Sequence, residues 1–68
     1  MQVTAILTPA PEGGFTALNP ETGSTTEGET IEEAIANLRE AVMLYLEEFP
    51  LKLGGAPFVT TFTIAEHA

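Results

Sequence analysis

The chain has no cysteine, no tryptophan and no aspartate, and it carries one histidine and two basic residues in 68. Without cysteine there is neither a disulfide framework nor a thiolate metal site, and a reducing cytoplasm is the expected address. Without aspartate, the chain lacks the residue that leads two-metal nuclease clusters and opens EF-hand loops. A lone histidine, His67, cannot build a His-based zinc site, and at the chain end it reads as a solvated tail residue. No Ser or Thr has a base at recognisable spacing, so no catalytic, cofactor-binding or metal-binding residue is nominated and an enzyme is not expected. Scarce Lys and Arg exclude direct binding to nucleic acid, which draws its affinity from cations placed on phosphates. The early apolar run at residues 3–7 is too short for a signal peptide, and no membrane partner is expected.

What is present in quantity is glutamate. All ten carboxylates are Glu, giving a formal net charge of −8, while 44% of the residues are hydrophobic. The length allows one small domain over residues 1–68, whose core supports only a few kcal/mol of net stability. A partner or a second copy would add to that.

Residues 2–8 alternate, with Val3, Ala5 and Leu7 on one side, which predicts a first strand. The stretch 9–14, Pro-Ala-Pro-Glu-Gly-Gly, mixes fixed φ with permissive φ and predicts a hairpin loop. A second strand follows over 15–18, with Phe15 and Ala17 on one face, closed by Asn19 and Pro20. Residues 24–27 read as a polar third strand ending at Gly28. Thr30 and Glu33 then form a capping box, and Glu32 and Glu33 sit in the first turn where the helix dipole favours negative charge. Apolar residues recur at Ile31, Ile35, Leu38, Val42, Tyr45, Leu46 and Phe49, one face of a helix that Pro50 stops. After a linker over 51–57 holding Gly54, Gly55 and Pro57, the alternation of Phe58, Thr60, Phe62 and Ile64 predicts a fourth strand. The expected architecture is α+β, in the order β-β-β-α-β: a three-stranded antiparallel meander, one long helix packed on it, and a final strand.

Two features exceed what the fold needs. Residues 41–46 are apolar without a break, so Met43 and Leu44 fall off the core face and are candidates for an association surface as well as for ordinary surface scatter. The second is the run of carboxylates at Glu27, Glu29, Glu32 and Glu33, whose plain role is capping and solubility and whose field would also attract a basic protein. The nominated partner-binding residues are Glu29, Glu32, Glu33, Met43, Leu44 and Glu47. The paired glycines lack the following Lys of a phosphate loop and read as turns.

The stretches Gly13-Gly14-Phe15-Thr16-Ala17-Leu18-Asn19-Pro20, Gly23-Ser24-Thr25-Thr26-Glu27-Gly28-Glu29-Thr30-Ile31-Glu32-Glu33-Ala34 and Ala36-Asn37-Leu38-Arg39-Glu40-Ala41 together resemble the HicB antitoxin family. Order and spacing agree through three elements, over residues 3–49. The resemblance implies a fold like part of RNase H without its nuclease site. It also implies membership of a toxin-antitoxin system, in which the chain binds and neutralises a small basic mRNA-cleaving toxin of the HicA kind by covering its catalytic histidine. The family's common turn, D-x-P-G-C, is here Glu21-Thr22-Gly23-Ser24, with the glycine kept and the proline and cysteine replaced. Longer members continue into a DNA-binding domain, so autorepression by this chain alone is not expected. The alternative reading is a solitary structural or adaptor domain that forms a homo-oligomer, a dimer or tetramer, and has no toxin.

Overall fold

Proline at the second position of Ala10-Pro11-Glu12-Gly13 pre-sets φ for a turn, and the Gly13 amide donates to the Ala10 carbonyl at 3.1 Å. Around that reversal the computed structural model, which describes residues 1–51, 54–55 and 57–66, pairs β1 (Ile6–Pro9) antiparallel with β2 (Phe15–Leu18). Leu7 lies opposite Ala17 and Thr8 opposite Thr16. Beyond a second turn at Asn19 to Ser24, β3 (Thr25–Gly28) pairs antiparallel with β2, Ala17 lying opposite Thr26. The sheet order is β1-β2-β3, a meander with β1 and β3 as its edges.

Helix α1 (Ile31–Glu48) starts where the capping box places it. The Thr30 hydroxyl accepts from the Glu33 amide at 3.1 Å, while the Glu33 carboxylate reaches back to the Glu29 amide at 3.3 Å. Phe49 caps the far end at φ −131 and ψ 82, outside the helical region as the following proline requires, and its amide donates to the Tyr45 carbonyl. Tyr45 and Phe49 pack one turn apart in a tilted pair, ring centroids at 5.1 Å. The last turn holds no basic residue.

The helix packs over β3 and β2 and closes on Ala17, Ala34, Leu38 and Val42, with Leu7, Phe15 and Leu46 partly buried against them. Its approach to β3 is set by Gly28: a Cβ there would collide with the Ala34 amide nitrogen. Two side-chain bonds fasten the same seam. Thr26 Oγ1 donates to the Ala34 carbonyl at 3.1 Å, and Asn37 Nδ2 donates to the Glu27 carbonyl at 2.8 Å.

Three expectations change. The first strand begins at Ile6 instead of Gln2, because β2 turns away at Asn19 and Pro20 and leaves residues 2–5 no partner strand. The third strand sits one residue later than expected, at Thr25–Gly28. The fourth strand over 58–64 does not form: residues 57–66 carry no ladder pairing and are exposed throughout, Phe58 to 99% and Phe62 to 83%. An alternating pattern specifies which faces a strand presents, but pairing needs a free edge brought alongside, and here none is. The reading of His67 as a tail residue lies outside the described residues.

Candidate functional site

The helix divides the molecular surface into two candidate regions. At its N-terminal end the hairpin loop after β1 leans on the end of β3. Gly14, at φ +78, comes so close that a Cβ would meet the Gly28 carbonyl oxygen at 2.7 Å. The hollow between them is lined by Ala10, Glu12, Gly13, Gly14, Phe15, Glu27, Gly28, Glu29 and Glu33. Four carboxylates thus surround one concavity, beside the positive pole of the helix and its capping box. Among the described residues, no group of three or more acidic or His side chains is placed to hold a metal ion.

The second region lies on the opposite side of the helix, where α1 does not reach over β1. A groove of about 340 Å³ runs between the helix residues Ile35, Leu38, Arg39, Val42, Met43 and Leu46 and the N-terminal residues Met1, Val3, Thr4 and Ala5, with Asn19 at its floor. Its lining is predominantly apolar. Arg39 is the exception, one of the chain's two basic residues.

Asn19 holds the N-terminal wall of this groove. It is fully buried, and its amide saturates both donors and its acceptor. Nδ2 donates to the Thr4 carbonyl at 2.8 Å and to Glu21 Oε1 at 2.7 Å, while Oδ1 accepts from the Thr22 amide and hydroxyl, each at 2.8 Å. Glu21 completes the clasp by accepting from the Thr4 amide at 2.9 Å and the Thr4 hydroxyl at 2.8 Å. Donation by the Thr4 amide, above the smaller effects of the Thr4 hydroxyl and the Asn19 side chain, holds the Glu21 carboxyl below its ordinary value against a desolvation that pushes the other way.

Three of the six nominated residues line one of the two regions and three line neither. Glu29 and Glu33 line the acidic hollow, whereas Glu32 is exposed on the first turn outside it. Met43, 60% exposed, lines the groove. Leu44 and Glu47 are exposed and line neither concavity. Sequence reasoning overlooked Glu12, which reaches the hollow only because the hairpin folds it against β3, and Ile35, which it assigned wholly to the core. A usable signal was present: Ile35, Arg39 and Met43 repeat every four residues, a helical row beside the core stripe.

No helix among the described residues is long and apolar enough to cross a membrane. No family model matches the chain, and no solved structure matches it. A UPF0150 protein of Synechocystis sp. strain PCC 6803 is 42% identical to it over 48 residues, which is 69% of this chain and 67% of that protein. With two-fifths identity sustained over two thirds of both chains, this small α+β protein belongs to the UPF0150 family.

Proposed function

We propose that this chain is a HicB-like antitoxin module, part of an RNase H-like fold in architecture, which binds and neutralises a small basic mRNA-cleaving toxin of the HicA kind. The observation that carries the reading is the acidic hollow. Glu12, Glu27, Glu29 and Glu33 converge on a concavity whose backbone is fixed by the Gly14 and Gly28 contact, so the field is presented in one geometry by a chain of net charge −8. Such a surface recruits a cationic partner and orients it on encounter. It is not a site for nucleic acid, whose phosphates it would repel.

Titration of the chain with a purified HicA-type ribonuclease tests this directly, by calorimetry and by protection of an RNA substrate from cleavage. The expected result is a stoichiometric complex that protects the RNA and weakens as salt rises, since long-range attraction is screened over about 8 Å at physiological ionic strength. Glu12→Lys together with Glu29→Lys should weaken it further while sparing the capping box. No binding, or an affinity that neither salt nor the reversals change, overturns the reading. The exposed apolar flank at Met43 and Leu44 favours a second reading, a solitary module whose stable partner is itself.

A further inference from the structure

The groove beside β1 and the segment 57–66 are each incomplete, and each has what the other lacks. Along β1 the sheet ends in an open edge. Thr4 turns its amide and carbonyl inward to Glu21 and Asn19. The alternation continued into β1 leaves the backbone groups of Leu7 facing outward, toward any added strand. Next to that edge, Val3 and Met43 line the groove with exposed apolar side chains, and the partly buried Leu46 lines it beside them.

The segment 57–66 supplies the complement. Phe58, Thr60, Phe62 and Ile64 share one face of a strand pattern, and all of 57–66 is exposed. The hydrogen bond it makes among the described residues is internal, from Thr60 Oγ1 to the Thr61 carbonyl. It stands off the body: the radius of gyration is 14.0 Å, where a compact chain of this length gives about 11 Å. Pro50 stops the helix, and Pro57 opens the segment with a residue that has no backbone donor.

We propose that the groove is filled by the arm 58–64 of a second copy, added as a strand to the open edge of β1, in a reciprocal dimer. Charge selects the second copy as occupant. Across 57–66 the sole charged residue is Glu66, so two chains of net charge −8 approach with least repulsion through their arms. The area is of the right order: four phenylalanines from two arms, each carrying about 150–250 Å², bring about 600–1,000 Å², and the groove surface they cover adds a similar amount, against about 1,600 Å² for a standard interface. Exchange of identical elements between copies is a low-cost route to such a dimer. This inference stands independently of the toxin reading, because the groove and the acidic hollow lie on opposite sides of the helix.

The test begins with sedimentation of the full chain across concentration, and continues with an equal mixture of isotope-labelled and unlabelled chains examined for contacts between copies by filtered NOE spectra. A dimer is expected, with intermolecular NOEs from the Phe58 and Phe62 rings to Val3 and Met43. Phe62→Glu should weaken association by at least about a hundredfold, since each dimer carries the change twice, and should leave a monomer of unchanged helical circular dichroism. Met43→Glu, on the groove side, should do the same. A monomer at all concentrations, NOEs confined to one copy, or a dimer indifferent to both variants each overturns the proposal.

Discussion

The two flanks of helix α1 are built on opposite principles. Toward β3 the contact is close and made of small residues: Gly28 admits the Ala34 backbone, and Thr26 and Asn37 stitch the seam. Toward β1 the helix carries larger apolar residues that the sheet covers only in part, Met43 staying exposed and Leu46 partly buried, and the N-terminal segment is fastened by a polar clasp. A short sheet can be closed by a single helix on one side only. Side chains that would fill a core in a larger domain are then left as surface, and the strand beside them depends on hydrogen bonds for its position.

Breaking the closed flank should have the largest effect. Gly28→Ala puts a methyl group inside the Ala34 backbone, and overpacking of that kind should cost about 3 kcal/mol, enough to unfold most of a domain this small. Urea unfolding followed by circular dichroism measures it. On the other flank, Asn19→Ala removes four hydrogen bonds from a fully buried side chain and strands the Thr4 carbonyl. The expected loss is about 2 kcal/mol, with amide exchange of residues 4–8 accelerating more than that of β3. An equal acceleration in β3 would erase the distinction between the flanks. Thr30→Ala deletes the helix cap on the closed side and should cost about 1 kcal/mol by the same unfolding assay.

Acid sharpens the comparison without any substitution. The Glu21 carboxyl has a lower pKa folded than unfolded, so its proton binds more readily to the unfolded chain. Its contribution is therefore fully present above the ordinary value of 4.5 and disappears as pH falls through the lowered folded value. The Thr4 amide resonance should shift and its exchange quicken over that interval, while the Asn37 side-chain amide stays fixed. The smallest effect is expected at Leu44→Ser, within about 0.5 kcal/mol for the isolated chain, because that side chain is 58% exposed and lines neither concavity.

The closed flank was only partly legible in the sequence. Leu38 and Val42 follow from helical periodicity, and the capping box fixes the helix start within a residue. Ala34 escaped because a reading by large apolar residues gives alanine no weight, whereas burial here is decided by how near a glycine lets the helix come. Ile31 and Phe49 went the other way. They fit the period, yet lie past the ends of the short strands and stay exposed. The open flank was less legible still. Met43 announced itself by falling off the core face, but the clasp joins Thr4 to Glu21 across seventeen residues and leaves no local pattern. The alternation over 58–64 states a capacity to pair, and says nothing of where an edge is to be found.

The carboxylates at the two ends of the helix bear on how to strengthen this scaffold. Glu32 and Glu33 lie against exposed amides, while Glu47 and Glu48 lie against exposed carbonyls with no cation in the last turn. Added electrolyte therefore acts in opposite senses along one rod, weakening a favourable term at its start and relieving an unfavourable one at its finish. An engineer seeking a sturdier version would leave the beginning alone and exchange Glu48 for lysine, converting a built-in frustration into a gain that touches neither concavity.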